Sequence, residues 1–306
     1  MSHTNRRRQH SFDRSGFTLI ETAITVCILS AGVALLSPAV YSARNSARKT
    51  QCISNLSKIG IALHDYHVTH NTFPAGWLAA TPAPGQEFYQ GWMAAILPHI
   101  EPADADGRLQ QAIPVFRCPS DRTPPQNPLR GDYGTANYSG NFGSSRSLGW
   151  AEGSLAAYWP GQLPAVEGTG LFWLNSRVRL SDVKDGSSNV FMAGERSLIS
   201  RSGIWAGVRG NEFSDDQVSD CDGFNELGSE TGFSSRHAGG GAHFLMVDGD
   251  VEFINRHIAS RNSTNGKPQA LYQQLAHRSD GQQVRGFGPL ISREAVQRRV
   301  SGPLGD

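Results

Sequence analysis

The chain has 306 residues, a formal net charge of +1, 34 glycines, 16 prolines and four cysteines. A charge so near zero gives no bulk electrostatic case for nucleic-acid binding. The glycine and proline content points to a loop-rich, β-containing fold.

Residues 1–16 form a basic leader, with Arg6, Arg7, Arg8 and Arg14, that ends at Gly16. An apolar run starts at Phe17 and reaches Tyr41. It is long enough to cross ~30 Å of hydrocarbon at 1.5 Å per residue. The leader predicts an N-terminus held in the cytoplasm and export of everything after the span. Arg44, Arg48 and Lys49 oppose that bias, but the leader and the large domain behind the span outweigh them. The run carries one charge, Glu21, at its fifth position. A lone carboxylate costs about 2.5–3.5 kcal/mol at a bilayer centre, so it calls for a functional explanation. A conventional signal peptide has a core of about 7–15 apolar residues followed by a small-x-small cleavage site. Here the run is longer and the glycine precedes it; Ala31-Gly32-Val33-Ala34 offers only a weak conventional site.

Pro38 lies near the end of the run, where it kinks a helix without ending it. Downstream, Ile53, Leu56, Ile59, Leu63 and Tyr66 recur at steps of three and four, the pattern of an amphipathic helix. One helix from 18 to 70 would run ~80 Å. Asn71, which tolerates a left-handed cap, and Pro74 end it.

Beyond Pro74 the segments are short. Residues 92–98 read as a short helix or a buried strand, 115–121 as a strand leading into a turn, and 133–138 as a strand. Residues 150–164 look like an inserted loop. A polar turn at 181–189 leads into a strand at 190–195. Residues 242–247 and 251–254 flank Asp248-Gly249-Asp250, the chemistry of a tight hairpin. A helix follows at 270–277, and the tail from Gly286 should be poorly ordered.

Cys27 lies inside the span and has no partner in the head. Cys52, Cys118 and Cys221 would sit in an oxidising compartment, and three thiols allow one intramolecular bond. Cys52 with Cys118 is the preferred pair; Cys118 with Cys221 is the alternative. Asp215, Asp216, Asp220, Asp222 and Glu226 form an acidic loop and are candidate calcium ligands, although their spacing is not that of an EF-hand. His64, His67 and His70 step by three along the helix and form a candidate metal site. His237 and His243 would join it only if the hairpin packs beside that helix end. Trp150 and Trp159 are candidate glycan-stacking residues, against the plainer role of packing. No sequence signature of an enzyme is present, from a nucleophile elbow to a phosphate loop, so the chain is expected to be a non-enzyme without a cofactor.

The 15–21 stretch Ser-Gly-Phe-Thr-Leu-Ile-Glu resembles the processing site of type IV pilins and type II secretion pseudopilins. That resemblance implies cleavage by prepilin peptidase between Gly16 and Phe17, methylation of the new N-terminus, and a Glu21 that pairs with a neighbouring subunit. Pro38 also stands where such pilins often carry proline. The head resembles a large family of prepilin-like proteins whose exported domain has no assigned function. The matching stretches are 52–56, 62–67, Phe73-Pro74, 95–98, Cys118-Pro119-Ser120-Asp121, 182–189, Gly194-Glu195, and Ser235-Arg236-His237 with Asp248-Gly249. The family has a His, a nine-residue gap and Asp-Gly. Here ten residues separate His237 from Asp248, and the surplus is expected in Gly239-Gly240-Gly241.

The expected architecture is α+β: a long N-terminal helix packed on a loop-rich, mainly antiparallel head. Its parts are a leader (1–16), a transmembrane half-helix (17–41), an amphipathic half-helix (42–72), a head (73–285) and a tail (286–306). The expected role is a pilin-like or pseudopilin-like subunit, single-pass in the inner membrane, with its head in the periplasm or outside the cell. Its partners would be prepilin peptidase and other pilin-like subunits, identical or not, and no nucleic acid. The alternative is a membrane-anchored binding module for glycan or an envelope protein.

Overall fold

The computed structural model describes residues 18–78, 88–101, 108–144, 168–197, 202–209, 217–221, 227–228, 232–260 and 270–281. The leader, Gly16, Phe17, residues 150–164 and the tail lie outside the described residues. The chain divides into two compact units, Met1–Ser46 and Ala47–Asp306.

Helix α1 spans Leu19–His70 and continues through Pro38. Its start is capped by its own sequence. The Thr18 hydroxyl oxygen accepts the Glu21 N–H at 3.3 Å, and Glu21 Oε2 accepts the Thr18 N–H at 2.9 Å. This reciprocal pair is a capping box, which satisfies donors that a helix N-terminus leaves open. The part of α1 in the first unit buries almost nothing: Leu19 is 92% exposed, and Ile24, Ile28, Leu29, Val33, Leu35 and Leu36 are also exposed. By length and composition this helix can cross a membrane.

In the second unit, α1 buries Cys52, Asn55, Leu56, Ile59, Gly60, Ala62 and Leu63. Leu56, Ile59 and Leu63 lie at the centre of the expected stripe, while Ile53 and Tyr66 are half-buried at its flanks. The helix stops at Asn71, whose φ of 57° is left-handed.

The remaining elements are short. They are β1 (Phe88–Gln90), α2 (Trp92–Ile100), β2 (Gln126–Asn127), β3 (Tyr133–Ala136), β4 (Tyr138–Gly143), β5 (Phe191–Glu195), β6 (Gly203–Ile204), β7 (Gly207–Arg209), β8 (Val218–Asp220), β9 (Gly241–Met246), β10 (Val251–Asn255) and α3 (Leu271–Ala276). A five-stranded sheet has the order β10-β9-β5-β4-β8, antiparallel except for β4 with β8. Two smaller sheets pair β2-β3-β6 and β1-β7.

Two expectations need correction. Residues 115–121 contain no strand. Pro114–Phe116 is a 3-10 turn, followed by a turn in which Asp121 N–H reaches Cys118 O at 3.0 Å. Pro114 fixes its φ and lacks an N–H, and Asn55 Nδ2 on α1 takes the Arg117 carbonyl at 2.8 Å, so a ladder is unavailable. The strand expected at 133–138 is two strands broken at Asn137, whose backbone N–H goes to Phe116 O instead of a ladder partner. The ambiguous 92–98 segment is helical, and its Trp92 Nε1 donates to Gln217 O at 2.8 Å.

The sheet separates two apolar clusters. Cys52, Leu56, Ile59 and Leu63 pack with Trp92, Phe116, Tyr138, Met192, Leu245 and Val247. Phe191, Phe244, Met246, Tyr272 and Leu275 form the second cluster, with α3. Along β9 the alternation of Phe244 and Met246 with Leu245 is the period-two rule of a strand buried on both faces.

Candidate functional site: a buried Glu-His centre beside a disulfide

The sheet register brings a buried carboxylate together with two buried histidines. In β5 and β9, Gly194 pairs with Phe244, so Glu195, the last residue of β5, falls beside His243. Glu195 also pairs with Tyr138 on β4. Gly194 leaves room for two rings: a Cβ there would lie 2.7 Å from both Phe233 and Phe244. The chain then turns Glu195 inward, where it is 1% exposed.

A buried carboxylate requires partners, and Glu195 has three. Its Oε2 accepts the His243 backbone N–H at 2.8 Å and contacts His243 Nδ1 at 3.0 Å. Its Oε1 lies 2.9 Å from His237 Nε2. Desolvation alone pushes the Glu195 pKa up. The hydrogen bonds from His237 and His243, together with their charges, outweigh it and hold the carboxylate below its ordinary value. The Tyr138 hydroxyl, buried and near this carboxylate, is pushed well above its ordinary value by desolvation first and by Glu195 second.

His237 is aimed by its own segment. Its N–H donates to Ser235 Oγ at 3.2 Å, while Ser234 N–H reaches Glu195 O at 2.9 Å. Its other ring nitrogen, Nδ1, is 3.1 Å from Ser120 Oγ. That serine belongs to the turn that carries Cys118. The Cys118 N–H donates to Asn137 Oδ1 at 3.1 Å, which draws the turn onto the break between β3 and β4. Cys118 and Cys52 form a disulfide with Cα atoms 5.4 Å apart. Cys118 Sγ also lies 3.5 Å from both Glu195 Oε1 and His237 Nε2. One ligand atom from each of Cys52, Cys118, Glu195 and His237 falls within 4.8 Å of the others.

The remaining sequence candidates disperse. His237 belongs to this centre, but Asp248 and Gly249 sit at the tip of the β9–β10 hairpin. There Asp248 Oδ1 accepts the Asp250 N–H at 3.1 Å, and Gly249 takes a φ of 96°. Gly239 and Gly240, with φ of 108° and 65°, form the turn that enters β9. The α1 histidines are spent separately. His64 Nε2 contacts Val247 O at 2.9 Å, His67 Nε2 accepts the Leu180 N–H at 3.1 Å, and His70 Nδ1 contacts Tyr66 O at 3.0 Å. Of the acidic loop, Asp220 is a buried residue of β8, and Asp215, Asp216, Asp222 and Glu226 lie outside the described residues. Cys221, buried, and Cys27, exposed, lie outside the disulfide. Trp150 and Trp159 lie outside the described residues.

Sequence reasoning offered His243 only as an added ligand to the α1 histidines and gave Glu195 no role in a site. One signal was available: an acidic residue closing the apolar strand Phe-Met-Ala-Gly-Glu, where β propensity disfavours it.

A family model described as "Protein of unknown function (DUF1559)" matches residues 41–105 and 102–261. No curated protein and no solved structure matches the chain.

Proposed function

We propose that this chain, which belongs to the DUF1559 family of unknown function, is a pilin-like or pseudopilin-like structural subunit of a cell-envelope filament or secretion apparatus. The observation that carries this reading is the division of α1. Its first part presents uncovered apolar side chains, and its last part is the buried spine of the head. Prepilin peptidase cleaves between Gly16 and Phe17. The span then holds the subunit in the inner membrane, with the head in the periplasm or outside the cell. Helices of other pilin-like subunits, identical or not, cover the apolar surface on assembly. Glu21 sets their register and Pro38 gives the span flexibility. The role is mechanical, without catalysis, cofactor or nucleic acid. A Cys52–Cys118 bond suits a head that works in an oxidising compartment.

The capping box sharpens the test. Glu21→Ala removes both the charge and a cap, and a lost cap costs about 1 kcal/mol. Glu21→Gln keeps a capping-box side chain and loses only the charge. Both variants are expected to be exported, to start at Phe17 by mass spectrometry, and to stay in the membrane, since the costly carboxylate is gone. Both should lose cross-linked oligomer at least about tenfold at unchanged monomer level, the equivalent of 1.4 kcal/mol. Normal assembly of Glu21→Gln would overturn the filament reading and leave an anchored binding module for glycan or an envelope protein.

A further inference from the structure

We propose that the Cys52–Cys118–Glu195–His237 cluster has a second closed form: reduced, it is a four-ligand site for a zinc-class divalent cation. The argument is geometric and independent of any filament role.

A tetrahedral zinc centre with bond lengths of about 2.3 Å to sulfur and about 2.0–2.2 Å to nitrogen and oxygen has fixed edges. Those bond lengths give roughly 3.6 Å for sulfur to nitrogen or oxygen, 3.4 Å for nitrogen to oxygen, and 3.8 Å for sulfur to sulfur. Cys118 Sγ stands 3.5 Å from His237 Nε2 and 3.5 Å from Glu195 Oε1, both close to those edges. His237 Nε2 and Glu195 Oε1 are 2.9 Å apart and need to open by about 0.5 Å. The three remaining edges all run to Cys52 Sγ, which lies within 4.8 Å of the other three ligand atoms, and breaking the disulfide lets the two sulfurs move apart toward them.

An ordinary buried ion pair does not need what surrounds this one. Ligands to metals usually have outer partners that fix their orientation. Here Glu195 Oε2 is held by the His243 N–H and ring, which leaves Oε1 to face the cluster. His237 Nδ1 faces the Ser120 hydroxyl, which can accept its proton when Nε2 binds metal. The Cys118 backbone is pinned by Asn137, and Cys52 is fully buried on α1. Two thiolates, one carboxylate and a divalent ion sum to a charge of −1. That equals the charge of a three-cysteine, one-histidine zinc site.

The conversion balances as follows. A dithiol reductant gives two electrons and two protons to the Cys52–Cys118 bond and becomes a disulfide itself. The divalent cation then displaces the two thiol protons and the Nε2 proton of the His237 imidazolium to solvent, which leaves His237 neutral with its remaining proton on Nδ1 toward Ser120. A disulfide oxidant reverses the first step and expels the ion. Metal occupancy and the disulfide therefore exclude one another.

The test uses the full chain in detergent, reduced with a phosphine under nitrogen and titrated with cobalt(II). One cobalt per chain is expected, with a thiolate-to-cobalt charge-transfer band and the intense ligand-field bands of tetrahedral cobalt, both abolished by zinc. The oxidised chain should bind none. Cys221→Ser should bind like wild type. His237→Ala should weaken binding by more than the roughly 10–100-fold typical of losing an outer partner. Because that variant can misfold, His237→Cys serves beside it; it keeps a ligand and should strengthen the charge-transfer band. The proposal fails if the reduced chain keeps its circular dichroism yet gives no tetrahedral spectrum. It fails equally if reduction unfolds the chain and metal does not restore it, or if His237→Ala gives the wild-type spectrum.

Discussion

Replacing Glu195 by glutamine removes the charge from the buried centre while conserving shape. The carboxylate receives three hydrogen bonds, from His237 Nε2, His243 N and His243 Nδ1, at 2.8–3.0 Å. Glutamine keeps one acceptor oxygen, so the backbone bond from His243 can survive. The two ring contacts then meet an uncharged amide. Hydrogen bonds to charged groups contribute about 1.5–3 kcal/mol each, and breaking a buried ion pair costs about 3–5 kcal/mol. The expected loss is therefore about 3–5 kcal/mol at neutral pH. At about 2–4 °C per kcal/mol for a unit of this size, Tm should fall by about 6–20 °C. The pH dependence has a definite sign. The folded-state pKa of Glu195 is depressed, so its stabilisation is fully present above the ordinary value of 4.5. It is lost as pH falls through the lower folded value. The gap between wild type and Glu195→Gln should therefore be largest at neutral pH and close in strong acid. Thermal unfolding of the oxidised chain, followed by circular dichroism across that range, measures it. Glu101→Gln is the control, because Glu101 makes only a partly exposed ion pair with Arg108 at 3.4 Å. A neutral-pH loss under about 1 kcal/mol, or a gap that ignores pH, would refute the reasoning.

Gly194→Ala should destabilise by about 1–3 kcal/mol, because its Cβ would meet two aromatic rings at 2.7 Å; denaturant unfolding reads this, and a neutral result would mean that Phe233 and Phe244 yield freely. Cys52→Ser removes a bond with a sequence separation of 66. The loop-entropy model gives a loss of roughly 4 kcal/mol, to be compared with wild type under oxidising and reducing conditions. His67 accepts the Leu180 N–H through Nε2, and desolvation, then the charge of His64, lowers its pKa below 6.5. Its contribution is present above that value and lost as pH falls below it, so the His67 ring should titrate by NMR at lower pH than a free histidine.

The long helix was legible because its signals are local. The apolar run, the stripe through Leu56, Ile59 and Leu63, and Asn71 as the stop each act within a few turns of one helix. The β9–β10 hairpin was legible for the same reason, since Asp248-Gly249 encodes its own turn. The strand expected at 115–121 failed because Pro114 opens a 3-10 turn there and Asn55, far away on α1, takes the Arg117 carbonyl. Of the centre, the Cys52–Cys118 bond was the expected pair, and the contact of Glu195 and His237 beside it was beyond reach. Cys118 to Glu195 spans 77 residues and Glu195 to His237 spans 42, and nothing local to those segments marks the convergence. Family resemblance brought His237 and Gly194-Glu195 to notice as separate stretches; only the β5–β9 register put Glu195 beside His243. The sequence alone determined the apolar N-terminal helix, its caps and the hairpin, because backbone hydrogen bonding and side-chain period are short-range. Tertiary structure alone decided which buried charges compensate one another, because burial makes an unpaired carboxylate costly and only the assembled sheet supplies its partners.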